Sequence, residues 1–239
     1  MKLCELTLPT PEENLACDEA LLDLCEAGGT EELLRLWAPR QYFVALGYAN
    51  KAETEVNLPF CRSHAIPVLR RCTGGGTVLQ GPGVLNYSLI LRINDSSPCH
   101  SISATNQFIL ERHRDALAGL LCAPLEWRGQ TDLAIGGLKF AGNAQRRCRR
   151  FLLFHGSFLL HLDLSLVEQV LPLPSRQPDY RLNRSHSDFL INLNIPASTL
   201  STALIKAWDA TTSLVPIPHD EITRVAREKY SLDEWNFRF

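Results

Sequence analysis

No stretch of the sequence approaches the roughly 18 consecutive apolar residues that cross a bilayer. The first ten residues carry one lysine followed by Cys4-Glu5-Leu6, without the basic start and apolar centre of a signal peptide. A cytoplasmic protein is expected, with no membrane partner. The eight cysteines (Cys4, Cys17, Cys25, Cys61, Cys72, Cys99, Cys122 and Cys148) include no Cys-x-x-Cys pair. That absence removes a zinc or redox-dithiol framework and fits a reducing compartment; no metal-ligating set is expected from the chain itself. Gly and Pro, at 14 each in 239 residues, are too few for a low-complexity chain. Charge of either sign is not in excess. A formal net charge of −2 gives no reason to expect nucleic acid, so any basic site must be local. Neither a Walker loop nor a dinucleotide-binding fingerprint is present.

What the chain does contain is enough length to bury one large core or two small ones. Leu15, Ala20, Leu21, Leu22 and Leu24 recur at helical spacing over residues 14–25, and Glu12, Glu13 and Asp18 add early negative charge. A first amphipathic helix is expected there, ended by Gly28-Gly29. Residues 33–37, 42–46 and 66–70 read as short strands rich in β-formers. Gly74-Gly75-Gly76 and Gly81-Pro82-Gly83 bracket another strand, and residues 86–93 form a further one. A long helix is expected over 101–121, with later helices at 198–211 and 220–230.

Residues 132–141 predict a hairpin turning at Gly136-Gly137, because a Gly-Gly pair between alternating runs suits a two-residue primed turn. Period two then puts Leu138 and Phe140 on one face and Lys139 with Ala141 on the other. Residues 151–162 carry a strand pattern interrupted at His155-Gly156-Ser157. Helices interleaved with mostly antiparallel hairpins argue for an α+β fold, with a mixed, mostly antiparallel central sheet flanked by helices.

Four local features could carry chemistry. Arg70-Arg71-Cys72-Thr73-Gly74-Gly75-Gly76 sets two guanidiniums beside three residues without side chains, so backbone N–H groups could approach an anion that the arginines attract. The alternative is a flexible turn. Lys139, one of five lysines, lies among Gly137, Leu138, Phe140, Ala141 and Gly142, a poor setting for a merely solvated lysine. If functional it would be a point charge on a carboxylate or phosphate; otherwise it is a surface-strand lysine. Gly142-Asn143-Ala144-Gln145, followed by Arg146, Arg147, Arg149 and Arg150, is expected to form a basic turn, either solvated or docking a partner. His155, between Phe154 and Gly156, reads more readily as a hydrogen-bonded core histidine than as a catalytic base.

In order along the chain, these elements resemble the lipoate-protein ligase catalytic domain of the biotin and lipoate ligase (BPL/LPL) superfamily. The resemblance runs through Asn14-Leu15-Ala16 with Asp18-Glu19-Ala20, Leu34-Arg35-Leu36-Trp37, Ala45-Leu46-Gly47, Arg70-Arg71-x-x-Gly74-Gly75-Gly76 and Asn86-Tyr87-Ser88. It continues through Thr131-Asp132-Leu133, Leu138-Lys139-x-x-Gly142-Asn143-Ala144-Gln145, His155-Gly156-Ser157, Leu159-Leu160 and Lys229-Tyr230-x-x-x-Glu234-Trp235-Asn236. It implies a class II synthetase/biotin-lipoate ligase-like fold, one catalytic domain over 1–239, and an acyl and adenylate site along Arg70, Arg71, Gly74, Gly75 and Gly76. Lys139 would be the catalytic residue, touching the acyl carboxyl oxygen and the adjoining phosphate. Asp132, Asn143 and His155 would help bind the adenylate or its metal. The implied chemistry uses ATP and Mg2+ to convert lipoate or octanoate into an acyl-adenylate, from which a lysine of a lipoyl domain or glycine-cleavage H protein displaces AMP.

The chain departs from that pattern in two ways. Gln80-Gly81-Pro82-Gly83 stands where octanoyl transferases have His-Gly-Pro-Gly, and no room is left after the catalytic domain for the accessory C-terminal domain of many lipoate ligases. A separate accessory subunit would fill that role. Two competing expectations follow: an ATP-independent octanoyl or lipoyl transferase with an acyl-cysteine intermediate, for which Cys122 is the candidate nucleophile, and a non-catalytic module that binds an acyl group or a lipoyl protein. Biotin ligation is disfavoured, because the Gly-Arg-Gly-Arg-x-Gly-Arg loop of biotin ligases is absent.

Overall fold

The computed structural model describes residues 1–94, 97–121 and 123–239. Its strands are β1 (Lys2–Glu5), β2 (Leu33–Trp37), β3 (Phe43–Leu46), β4 (Val68–Arg70), β5 (Val78–Gln80), β6 (Val84–Arg92), β7 (Leu125–Arg128), β8 (Asp132–Ile135), β9 (Leu138–Arg147), β10 (Phe151–Leu159) and β11 (Thr212–Ser213). The helices are α1 (Pro11–Ala27), α2 (Ala52–Glu55), α3 (Leu58–Ser63), α4 (Ile102–Ala118), α5 (Leu164–Val170), α6 (His186–Phe189), α7 (Ala197–Ala207), α8 (His219–Val225) and α9 (Asp233–Asn236). Among the described residues an eight-stranded sheet has the order β11-β1-β2-β6-β10-β9-β8-β7, and a three-stranded sheet the order β4-β3-β5. β1 runs parallel to β11 and β2, and the remaining pairs of the large sheet are antiparallel. The mixed, mostly antiparallel sheet expected from the sequence is therefore the architecture, and no helix is long and apolar enough to cross a membrane among the described residues.

Local sequence explains the element ends. Thr10 accepts from the Glu13 amide while the Glu13 side chain accepts from the Thr10 amide, a reciprocal cap that starts α1 with Pro11 in its first turn. Ser101 caps α4 through the Ala104 amide. At the β8–β9 hairpin Gly136 and Gly137 have φ of 56° and 74°, the left-handed pair that a primed turn requires.

Two expectations are corrected here. β10 runs unbroken through His155-Gly156-Ser157, pairing with β6 along its whole length. A Cβ on Gly156 would overlap the Asn143 side chain across on β9, so this glycine serves a close approach within the strand instead of breaking it. Likewise Gly142-Asn143-Ala144-Gln145-Arg146-Arg147 is strand, not turn, held in register against β10, and the chain reverses only after Arg147. Most of those arginines are already engaged: Arg146 on Glu19, Arg147 on the carbonyls of Cys99 and His100, and Arg150 on the Glu26 carbonyl.

Strand alternation gives the large sheet two different faces. One carries Leu34, Leu36, Tyr87, Leu89, Phe154 and Phe158 and packs on α4 and α7 through Ile109, Leu110, Leu117, Leu200 and Leu204. The other receives α1, whose Ala16, Cys17, Ala20, Leu21 and Leu22 are buried beside Leu33, Ile90, Phe151 and Leu153. In the middle of that second face the apolar pattern breaks into Arg35 on β2, Asn86 and Ser88 on β6, and His155 and Ser157 on β10, all mutually in register. A buried polar patch under a helix is costly unless every group is paired, which marks this place for scrutiny.

The opposite face buries a histidine completely. The Trp208 indole donates to His113 Nε2 at 2.8 Å, and burial, aided by Arg112, pushes the imidazole down to about 3. A histidine lowered on folding contributes full stability above its unfolded value of 6.5 and loses it as pH falls toward the folded value. The urea midpoint is thus expected to fall between pH 6.5 and about 3, with a slope of up to about 1.4 kcal/mol per pH unit from this residue. His113→Phe should flatten that dependence; an unchanged slope in the variant would assign it to other groups.

Candidate active site

Asn14 and Asp18 lie one helical turn apart on α1 and face the polar patch. Arg35 donates to Asp18 Oδ1 at 2.6 Å, to the Asn14 carbonyl at 2.8 Å and to the Asn14 side chain at 2.8 Å. The other Asp18 oxygen accepts from Ser88 at 2.7 Å and meets His155 Nδ1 at 3.3 Å. Burial would raise the Asp18 carboxyl, but Arg35, with His155 and Ser88, outweighs it and holds the group below its ordinary value. On its far side His155 meets the Thr73 hydroxyl through Nε2 at 2.7 Å. His155 is thus neither an isolated core histidine nor a free one; it bridges helix α1 and the glycine loop.

The loop itself is built by the two arginines, which divide the work. Arg71 is buried and donates to the Thr73 hydroxyl and to the carbonyls of Ala45, Gly74 and Gly76 at 2.6–3.0 Å. Burial pushes it down to about 10, so it stays cationic at neutral pH while its donors hold the loop's carbonyls inward. Arg70 is fully buried and donates to the carbonyls of Gly47, Tyr48, Asn50, Trp235 and Asn236. Both guanidiniums spend these donors on the backbone, so the expectation that they bind the anion directly gives way to a supporting geometry. They shape a loop whose residues 74–76 are exposed.

Gly75 has φ of +88°, and a Cβ there would lie 2.9 Å from the Arg71 guanidinium and 3.4 Å from Ala144 Cβ. Gly47 is equally constrained, since its Cβ would overlap the Gly75 carbonyl. For the adenylate site that the resemblance implies, Gly75→Val is expected to weaken binding of a non-hydrolysable acyl-adenylate analogue at least about 10-fold, because strain and lost approach fall on the same residue, while far-ultraviolet circular dichroism stays unchanged. Equal affinity by calorimetry would return the loop to an ordinary turn.

Lys139, just past the hairpin turn, reaches forward along β9 toward Gly142. Its Nζ contacts Asp132 Oδ1 at 2.7 Å and lies 2.7 Å from where a Gly142 Cβ would stand, so the glycine leaves the space the ammonium occupies. The Tyr180 hydroxyl donates to the second Asp132 oxygen at 2.9 Å, and the Ile191 amide donates to the Lys139 carbonyl at 3.0 Å. The segment around residues 180–191 thereby straps the lysine strand. Gly142 faces Ser157 and Ala144 faces His155 across the β9–β10 pair. Lys139, Asp132, the glycine loop and His155 consequently border one polar region of the α1 face.

Asn143 points the other way. Its Oδ1 accepts from Tyr87 and its Nδ2 donates to the Thr131 carbonyl, while the Thr131 hydroxyl returns a bond to the Asn143 carbonyl. It fixes the approach to Asp132 instead of facing the loop. Gln80 closes a ring with Ser157 and Asn86 at 2.6–2.9 Å, so this position supplies a fixed amide where the resemblance expects a histidine. Sequence reasoning missed Asp18, Thr73 and Tyr180 as partners in this region. The visible signal was an acidic residue on the otherwise apolar face of the first helix.

Every cysteine the structure describes is a free thiol: Cys4, Cys17, Cys25, Cys61, Cys72 and Cys99 are buried and Cys148 is half-buried. Burial pushes all of them up, Cys17 to about 12 and Cys25 and Cys72 to about 11. Such thiols are poor nucleophiles near neutrality. Cys122 lies outside the described residues. No group of three His, Cys, Asp or Glu residues is arranged to hold a metal ion among the described residues. The one carboxylate beside Lys139 that could face the magnesium implied by the resemblance is Asp132, itself paired with Lys139.

Comparison with known proteins places these features in context. The lipoyl protein ligase A/B catalytic domain model matches residues 10–206. The chain is 29% identical to octanoyltransferase LipM of Geobacillus kaustophilus, over 95% of this chain and 94% of that one. It is 28% identical to lipoate-protein ligase A subunit 1 of Thermoplasma acidophilum, over 97% and 95% respectively. A solved structure of lipoate-protein ligase A bound with ATP superimposes with a TM-score of 0.82 at 25% identity, covering 99% of this chain and 98% of that chain.

Proposed function

Since the chain belongs to the lipoyl protein ligase A/B catalytic domain family, we propose that it is an ATP-dependent lipoate-protein ligase. It activates free lipoate or octanoate as the acyl-adenylate and passes the acyl group to a lysine of a lipoyl domain or glycine-cleavage H protein. The observation that carries this reading is the Lys139–Asp132 pair, which with the glycine loop borders a polar region suited to anions. The likeness to an ATP-bound ligase supports it.

A free carboxylate is a poor electrophile until one oxygen becomes a phosphate leaving group. In the proposed mechanism the loop amides of residues 74–76 face the adenylate's anionic oxygens, and Arg71 keeps the loop's carbonyls turned away from them. Magnesium bound with the nucleotide would neutralise charge on its phosphates, with Asp132 as the nearby carboxylate. The Lys139 ammonium, held by Asp132, favours the negative charge that grows on the acyl oxygen when that carbon is attacked. Asp132 in turn is held by Tyr180. A separate accessory subunit belongs to the same reading, supported by the relative that is named as a subunit of a ligase.

The 29% identity to an octanoyltransferase favours a second reading, in which an acyl-carrier thioester is the donor and Cys122 forms a thioester. Two incubations with an apo lipoyl domain, one with octanoate, ATP and magnesium and one with an octanoyl-carrier thioester and no ATP, separate the two. The ligase releases pyrophosphate and adds the acyl mass to the acceptor lysine, with Cys122→Ser nearly as active as the parent. No pyrophosphate, together with an acyl adduct on the enzyme that disappears in Cys122→Ser, establishes the thioester route instead.

A further inference from the structure

The ring that fixes Gln80 leaves one lone pair unused. Gln80 Nε2 donates to Ser157 Oγ at 2.7 Å, Ser157 donates to Asn86 Oδ1 at 2.6 Å, and Asn86 Nδ2 donates to Gln80 Oε1 at 2.9 Å. Turning both amides over reverses the ring and changes nothing for the serine. In either sense its hydrogen goes to one amide and it takes a hydrogen from the other, so it keeps a single lone pair and no donor. Gln80 and Asn86 are buried, at 5% and 4% exposure, whereas Ser157 is half-buried, which makes the serine the member of the ring open to a ligand. It stands directly opposite Gly142 in the β9–β10 pair, and Lys139 Nζ lies 2.7 Å from the point a Gly142 Cβ would occupy. Opposed Cβ positions are about 4.5–5.5 Å apart, which puts the serine hydroxyl and the ammonium roughly 4–8 Å from each other. Among the described residues no hydrogen bond joins the two, and the half-buried Gly142 puts no side chain between them. The region therefore has two poles, a donor at Lys139 and an acceptor at Ser157. Neighbouring acceptors are engaged: the Asp132 oxygens by Lys139 and Tyr180, and Thr73 and His155 by each other.

We propose that Ser157 receives an N–H of the acceptor lysine's amine and so aims the amine lone pair at the acyl carbon whose oxygen faces Lys139. This rests on the reading that the chain passes an acyl group to a protein lysine. Gln80 and Asn86 are positioning residues that hold the serine as an acceptor. Two hydrogen bonds of about 2.9 Å, one on either side of a single carbon centre, span the gap between the poles. The acceptor lysine first loses one proton to water. Its electron pair then forms the C–N bond, the bond from the acyl carbon to the adenylate oxygen breaks, and AMP leaves with that pair. A second proton leaves the nitrogen for water, which completes the amide. Ser157 accepts a hydrogen bond throughout and takes no proton. As the nitrogen becomes positive its N–H donates more strongly, so the contact is stronger in the transition state than before it.

Transfer to a saturating apo lipoyl domain is followed under single turnover from synthetic octanoyl-adenylate and, separately, from an octanoyl-carrier thioester. Ser157→Ala should slow transfer from the donor that the parent uses by about 10-fold or more, the scale of one hydrogen bond lost to a developing charge. Ser157→Thr keeps the hydroxyl and should restore the rate. Gln80→Met opens the ring and should slow transfer several-fold. The double variant Gln80→Met with Ser157→Ala should be no slower than Ser157→Ala alone, because Gln80 acts through the serine. Parental speed in Ser157→Ala, or a double variant in which the two losses multiply, overturns the role. If circular dichroism shows that Ser157→Ala does not fold, Gln80→Met decides alone, and its parental speed overturns the role. A parent that transfers from the thioester and not from the adenylate removes the ligase reading alone, since the same amine attacks either carbonyl; slow transfer by Ser157→Ala from the thioester then still puts the amine on the serine.

Discussion

Lys139→Ala is expected to reduce acyl transfer by at least about 10²-fold, the scale for removing one preorganised donor from a reacting carbonyl. The loss should appear mainly in turnover, because the ammonium gains most as charge grows on the acyl oxygen, and less in the affinity for the acyl acid. Nζ is tied to Asp132 at 2.7 Å, and the space it fills is left by Gly142, so the side chain is held before substrate arrives. Lys139→Arg should not rescue the loss, since a planar fork does not reproduce a compact charge over a glycine. Folding should be nearly unchanged, because Lys139 retains about a quarter of its side-chain exposure, 24%. Transfer near the parental rate would remove the lysine from the chemistry.

The largest effect on stability is expected at Arg70. Its guanidinium holds the carbonyls of Gly47, Tyr48 and Asn50 on one side and of Trp235 and Asn236 on the other, while its amide donates to the Asn236 side chain. Arg70→Leu leaves several of these carbonyls unpaired at about 1–3 kcal/mol each, so unfolding should become easier by at least about 3 kcal/mol. Urea denaturation measures this directly. A cost below about 0.5 kcal/mol would mean that water replaces the guanidinium, and that Arg70 belongs to ligand binding after all.

These two residues illustrate what could and could not be read from the chain. The β8–β9 hairpin was legible because a two-residue turn needs left-handed backbone at both positions, and Gly136-Gly137 supplies it. Lys139 stood out because the glycines and apolar residues around it gave no reason for a solvated charge. Arg70 and Arg71, by contrast, look equivalent in sequence. Only the packing shows that one fastens the C-terminal segment and the other folds the glycine loop over its own carbonyls.

Glycine misled at Gly156, where a break was expected and a strand continues, because the reason for the glycine is Asn143 on the neighbouring strand. The contacts of Asp18 with His155 and of His155 with Thr73 span 137 and 82 positions of sequence, beyond any local pattern. Fold class followed from alternation and turn chemistry, which are local; the buried polar patch under α1 depends on register between distant strands, which is not.

The central claim is that this chain activates a free acid instead of receiving an activated one. The direct measurement compares two donors under single turnover with an apo lipoyl domain: free octanoate with ATP and magnesium, and an octanoyl-carrier thioester without ATP. The acceptor is weighed by mass spectrometry in both. Ligase chemistry predicts octanoylation only in the ATP-containing arm, with pyrophosphate released in step and no acyl adduct on the enzyme. Rapid octanoylation from the thioester without ATP, none from the free acid with it, and an acyl mass on the enzyme would contradict the claim.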